Sequence, residues 1–219
     1  PSGWVKRLEV ADSGQVTINN SFTFPTTDGN QGQVLKTNGS GTLAWSYGTN
    51  GLFAQTGDSA AVSATTTPTT IIGSGVGDLN FPANTLQVGD TFHLKCGGLV
   101  KSIGISGLTF NLSGASTLLD TGIIGNNGTS GTSIDRAWEL ELDLTIRSTG
   151  ASGTVIVVGE FNWGGYLLPG GSGVSANRWN FHQSSSIDTT VTNTLDLTVE
   201  LGDLTSAIYS QLTYLNKVY

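Results

Sequence analysis

Residues 136–162 constrain the fold of this chain more than any other stretch, because apolar and polar side chains alternate strictly along them. From Trp138 to Ile146 every second residue is apolar, and the residues between are Glu, Asp or Thr. A period of two places all of the apolar side chains on one face of a β-strand. Small, turn-forming residues follow at 148–153, and a second alternating run leads back to Phe161. The stretch therefore predicts a long β-hairpin.

The alternation also predicts the register of this hairpin. With the turn centred between Gly150 and Ala151, a shift by one residue would bury the acidic side chains. The predicted apolar pairs are Ile146 with Val155, Leu144 with Val157, Leu142 with Gly159, Leu140 with Phe161, and Trp138 with Trp163. On the other face Glu141 lies opposite Glu160, where like charges destabilise a sheet. Three resolutions are open: full solvation, a basic partner, or a cation held by the carboxylates.

The region from residue 51 to residue 219 has the pattern of one β domain. Short apolar runs alternate there with turn residues, and helical periodicity of useful length is absent. The strand candidates are residues 52–56, 59–66, 69–72, 90–96, 98–105, 107–113, 137–147, 154–162, 174–182, 194–201 and 207–218. Such a series predicts an all-β fold, an antiparallel β-sandwich of the jelly-roll type that forms a head domain.

Residues 1–50 have a different character, because their extended pieces are too short to close a core alone. We therefore expect an extended N-terminal arm or stalk that serves attachment and trimerisation. Its apolar residues would be buried by neighbouring chains or by another protein. The predicted assembly contacts are Phe22, Phe24, Val34, Leu35, Leu43 and Trp45.

Charge and composition argue against several functions. The formal net charge is −7, and the 9 Lys and Arg residues do not cluster, so neither nucleic-acid binding nor a polybasic membrane contact is expected. No apolar run approaches the length of a membrane span, so membrane insertion is not expected. The chain starts at Pro1 and contains no methionine, and we expect a processed product or a fragment.

Catalytic, metal and cofactor sites are not predicted. Cys96 is the only cysteine and lies in an alternating run, so we expect a buried and inert thiol. The glycine-rich residues 71–77 lack a following helix and read as a connection between strands. His93 and His182 have no paired spacing that would suggest zinc, and no G-x-S-x-G motif is present.

Residues 161–183 contain the most distinctive candidate for a binding surface. They bring Trp163, Tyr166, Trp179 and His182 together around a Pro-Gly-Gly link. Loops at the end of a sandwich commonly carry function, and exposed aromatic faces beside polar groups suit sugars. The alternative is that Trp163 and Trp179 belong to the core or to a subunit interface.

Two segments resemble proteins of a known class. Residues 22–46, FTFPTTDGNQGQVLKTNGSGTLAWS, resemble a repeat-like segment in tail-fibre and virion-fibre proteins of bacteriophages and large DNA viruses. Residues 58–98 resemble the head module that follows this segment, and the hairpin and residues 194–218 fit the same module.

This resemblance implies a non-enzymatic structural protein of the virion, a homotrimeric fibre or spike with a β head. Its N-terminal arm would bind other virion proteins, and its head would attach to the host, with a host surface glycan as a candidate ligand. One alternative is a capsid-decoration or head-fibre protein without a receptor role. Another is a carbohydrate-active domain such as a depolymerase, which needs two acids facing each other across a cleft.

Overall fold

The computed structural model describes residues 7–19, 21–29, 33–37, 40–47, 51–63, 65–102, 107–124, 134–163, 177–202 and 205–219. The strands are β1 Leu8–Val10, β2 Val16–Ile18, β3 Phe22–Thr23, β4 Gln33–Thr37, β5 Leu43–Tyr47, β6 Gly51–Gln55, β7 Val62–Ser63, β8 Thr69–Thr70, β9 Gly75–Gly77, β10 Asn80–Phe81, β11 Thr91–Ser102, β12 Leu108–Ser113, β13 Thr117–Asp120, β14 Ile134–Ser148, β15 Gly153–Trp163, β16 Asn177–Ile187, β17 Asn193–Thr194, β18 Asp196–Leu201 and β19 Ala207–Lys217. Every pairing between these strands is antiparallel. The all-β fold predicted from the sequence is confirmed.

The chain forms two compact units, Pro1–Thr49 and Asn50–Tyr219. The first unit contains a three-stranded sheet in the order β1-β2-β3 and the two-stranded hairpin β4-β5. A single parallel bridge also joins Thr23 to Thr42 within this unit. The boundary predicted from the sequence lies between residues 50 and 51.

The second unit is built on two larger sheets. One has the order β16-β15-β14-β11-β19-β6-β9, with β7 paired to β19, and the other has the order β13-β12-β18-β8. Their side chains share one core. The ring of Phe110 in β12 lies 5.4 Å from that of Trp138 in β14 and 5.3 Å from that of Phe161 in β15. The jelly-roll topology stays a prediction.

The hairpin of β14 and β15 has the predicted register. The structure pairs Ile146 with Val155, Leu144 with Val157, Leu142 with Gly159, Leu140 with Phe161, and Trp138 with Trp163. All of these apolar side chains are buried. A Cβ on Gly159 would overlap the backbone carbonyl oxygen of Glu141 and lie 3.0 Å from Leu142 Cα, so glycine is required where the two strands are this close. Glu141 lies opposite Glu160, as predicted.

β11 and β16 differ from the expected strand pattern. β11 is one continuous strand where residues 90–96 and 98–105 were expected to form two: its pairing with β14 runs through Gly97 and Gly98 without a shift, and opposite them β19 has a β-bulge at Gln211. β16 reaches from Asn177 to Ile187, so the expected loop at residues 161–183 begins and ends within strands.

Polar side chains connect β16, at the edge of the larger sheet, to β13 in the other sheet. Ser185 Oγ donates a hydrogen bond to the Leu118 carbonyl oxygen at 2.8 Å. The Asp120 amide donates to Gln183 Oε1 at 3.0 Å. We call this contact, formed by Leu118, Asp120, Gln183 and Ser185, the polar seam. It makes polar residues favourable on the inner face of β16.

Candidate functional site

The predicted assembly residues of the first unit differ in burial. Phe22, Val34 and Leu35 are exposed, and Phe24, Leu43 and Trp45 are partly buried. Trp45 Nε1 donates a hydrogen bond to the Thr27 carbonyl oxygen at 2.7 Å, which holds the indole within the unit. The exposed members of the set are therefore the ones that a partner can cover.

The small sheet of the first unit has one apolar face. Register places Leu8 beside Ile18 and Ile18 beside Phe22, with Val10 beside Val16. The apolar face consists of Leu8, Val10, Val16, Ile18 and Phe22, whereas Glu9, Thr17 and Thr23 point to the other side. Four of these residues are 40–64% exposed, whereas Val16 is partly buried. An apolar sheet face that remains this exposed is typical of an interaction surface.

The predicted receptor residues are not brought together. Trp163 is only 8% exposed and lies in the core, and the ring of Trp179 packs 5.6 Å from that of Phe161. His182 is exposed on the opposite face of the same strand as Trp179. Tyr166 lies outside the described residues. Trp163 thus has the core position that the sequence analysis gave as the alternative.

A groove opens instead on the solvent-facing side of β11, β14, β15 and β16, which we call the outer face. Its volume is about 430 Å³. This outer groove is lined by His93, Glu141, Asp143, Val158, Glu160 and Asn180. It forms because the short side chain of Val158 lies between Asp143 on β14 and His182 on β16.

The acidic side chains of the outer face are compensated by bases from neighbouring strands. Lys95 Nζ in β11 lies 2.8 Å from Glu139 Oε2 and 2.6 Å from Glu141 Oε1. Glu160 forms an ion pair with Arg178 in β16. Of the three resolutions left open for the opposed glutamates, the structure therefore shows the basic partner.

These contacts shift the pKa values of Lys95 and Glu141. The hydrogen bonds that Lys95 donates to Glu139 and Glu141 raise the pKa of Lys95 above its ordinary value. The hydrogen bond from Lys95 holds the pKa of Glu141 below its ordinary value. A carboxyl whose pKa is lowered by folding contributes stability above its unfolded pKa, and this contribution is lost as pH falls through the folded pKa.

We expect Glu141→Gln to lower the free energy of unfolding at pH 7 by about 0.5–1 kcal/mol, because the ion pair is partly exposed to solvent. The difference from the parent should vanish as the pH falls below the lowered pKa of Glu141, where the parent carboxyl is protonated too. Urea unfolding between pH 3 and pH 7 measures this. A mutant that is more stable than the parent at pH 7 would show that Lys95 does not compensate the carboxylate.

The cysteine and the glycine-rich segment noted in the sequence belong to the core and to a sheet. Cys96 is buried, as predicted, and burial raises the pKa of its thiol to about 12. Gly75–Gly77 forms β9 and pairs with β6, so the glycine-rich segment belongs to the sheet. Among the described residues, His, Cys, Asp and Glu form no group of three or more that is placed to hold a metal ion. The described part of the chain also has no helix with the length and hydrophobicity of a membrane span.

No protein-family model, curated protein or solved structure matches this chain. The similarity to virion-fibre proteins therefore stays an expectation that depends on the sequence segments at residues 22–46 and 58–98.

Proposed function

We propose that this protein is a virion structural protein, a fibre or spike whose β head serves host attachment at the particle surface. The observation that carries the proposal is the difference between its two units. The first unit leaves the apolar face of its small sheet exposed, whereas the second unit encloses its own core.

The first unit has the properties of an assembly element. Its β1 to β3 strands have two or three residues each, and sheets this small are marginally stable unless a face is covered. Apolar side chains gain roughly 25 cal/mol for each Å² removed from water. We therefore propose that neighbouring copies in a homotrimer, together with other virion proteins, cover this face.

The second unit has the properties of an independent head. Its strands β11, β14, β15 and β19 are long, and their inner side chains are buried against residues of the same unit. Such a unit needs no partner to complete its core. Its outer groove is available to a ligand.

A carbohydrate-cleaving activity is less well supported by the acids of the outer face. A general acid of a glycosidase has a raised pKa, whereas the pKa of Glu141 is lowered. Glu141 and Glu160 also lie side by side on one sheet face and pair with Lys95 and Arg178.

Native mass spectrometry of the full chain tests the assembly part of the proposal, and we expect three copies. Ile18→Asp should break the trimer, because it places a charge on the apolar face. Thr23→Asp is the matched control, because Thr23 points to the other side of the sheet, where it faces Thr17, and the trimer should survive. A full chain that remains a stable monomer with its first unit folded would contradict the proposal.

Antibodies raised against residues 50–219 test the location and the role. They should label the surface of intact particles and block adsorption to host cells. Labelled particles that adsorb normally would instead favour a capsid-decoration protein. Particles that the antibodies do not label would contradict the surface location.

A further inference from the structure

We infer that the outer groove is a subsite for one neutral sugar residue, an inference that rests on the proposed host attachment for its biological role. The ligand class follows from the groove's floor, its hydrogen-bond acceptors and its charge, and each of these is a property of the described residues.

The floor of the groove is apolar. Val158 is 47% exposed although its neighbours on the outer face are mostly polar or charged. The backbone at Gly159 and Phe181 completes the lining beside it. A pyranose ring has one face of C–H groups, and this face can pack on Val158 and exclude water from it.

The rim of the groove presents acceptors that are already held in position. His93 Nδ1 lies 2.8 Å from Asp143 Oδ1, and Lys95 Nζ lies 2.6 Å from Glu141 Oε1. Glu160 accepts a hydrogen bond from Asn162 Nδ2 at 2.8 Å. An ionised carboxylate can accept about four hydrogen bonds, so each retains capacity for the hydroxyl donors of a sugar. Acceptors that are ordered before binding reduce the entropy that a ligand must lose.

The charge of the outer face selects among sugars. Around the groove the carboxylates are Glu139, Glu141, Asp143 and Glu160, and the three groups that pair with them are His93, Lys95 and Arg178. Negative charge is therefore in excess, and an anionic sugar such as a uronic or sialic acid would be repelled. A neutral hexose carries only hydroxyl groups, which can donate to these carboxylates.

The size of the groove limits the affinity. A volume of about 430 Å³ is in the lower part of the range for small-molecule sites and suits one or two sugar rings. We expect a dissociation constant on the order of 1 mM for a single hexose, because a ligand with few atoms makes few contacts. Several copies on one particle would raise the effective affinity.

Amide NMR of the isotope-labelled full chain tests the subsite directly. The probes are the methyl glycosides of glucose, galactose and mannose, with glucuronic acid as the anionic comparison. At least one neutral glycoside should shift the amide signals of Val158, Gly159 and Asn180. Glucuronic acid should bind at least tenfold more weakly. The inference is overturned if no neutral glycoside shifts these signals, if the shifts map elsewhere, or if glucuronic acid binds equally well.

A matched pair of variants locates the effect. Val158→Gln fills the floor with a longer polar side chain and should weaken binding at least tenfold. Ile156→Gln makes the same type of change two residues away on the same strand and face, and binding should be unchanged. Thermal unfolding of both variants checks that they fold. Equal binding by Val158→Gln and the parent would overturn the subsite.

Particles that carry Val158→Gln separate this inference from the proposed attachment role. Loss of sugar binding with weakened adsorption supports both. Loss of sugar binding with normal adsorption confirms the subsite and shows that host attachment uses another surface. If the purified parent protein binds the sugar but its particles do not adsorb through the outer groove, the result would contradict the attachment role alone.

Discussion

Phe161→Ala is expected to lower the free energy of unfolding of the second unit by about 3–5 kcal/mol. Phe161 is fully buried, and its ring lies among those of Phe110, Trp138, Trp163 and Trp179. Truncation removes the contacts of the ring and leaves a cavity between the two sheets. Urea unfolding, followed by tryptophan fluorescence and by circular dichroism, measures the loss.

Two comparisons make this result specific. Phe161→Leu keeps most of the apolar volume and should cost less than half as much. Phe22→Ala removes the same side chain from an exposed position in the first unit and should leave the unfolding of the second unit unchanged. Equal losses for Phe161→Ala and Phe161→Leu would contradict this expectation, because they would show that the lost ring contacts, and not the cavity, account for the whole destabilisation.

Gly98→Ala is expected to cost about 3 kcal/mol or more, because a Cβ on Gly98, which lies opposite the bulge in β19, would overlap the Tyr209 carbonyl oxygen. The added carbon would also lie 2.8 Å from Ser210 Cα, so the obstacle is the backbone of β19. Backbone atoms cannot rotate away as a side chain does, and the register between β11 and β19 would have to change.

The adjacent glycine is the control for this prediction. A Cβ on Gly97 would approach the Trp138 carbonyl oxygen no closer than 3.0 Å, so Gly97→Ala should cost about 1 kcal/mol. Neither glycine has a positive φ, which removes backbone strain from the comparison. Similar melting temperatures for the two variants would show that β11 is not tightly packed against β19 at Gly98.

The hairpin could be predicted to the residue pair because its two faces differ so clearly in polarity. A shift by one position would exchange Leu142 with Glu141, so a single register buries the apolar residues. The compensation of Glu141 and Glu160 could not be predicted in the same way. Lys95 and Arg178 reach them from β11 and β16. The alternation of residues along one strand does not predict the order of strands in the sheet.

Other elements could not be predicted in full from the sequence because the polarity of their residues does not follow a period of two. Leu118 and Leu119 are consecutive in β13 and both are buried, so the strand shows no alternation. In β16 the inward positions include Gln183 and Ser185, which are polar because they bond to β13.

The position of the candidate site also could not be predicted from the local sequence pattern. Aromatic residues at 161–183 indicated a binding surface, but the structure places Trp163 inside the core. The outer groove depends on Val158, a residue of ordinary β-strand type whose position becomes distinctive only when β14 and β16 are beside it.

The polar seam has a consequence for how copies of this protein behave at high local concentration. An edge strand with unpaired backbone groups can add a strand from another molecule, and this growth leads to aggregates. In the other sheet β13 is an edge strand, and its Leu118 carbonyl oxygen and Asp120 amide are already bonded by Ser185 and Gln183 of β16. A foreign strand would have to displace these hydrogen bonds first. Crowded molecules can thus lie side by side without the four-stranded sheet extending from one into the next through this part of its edge.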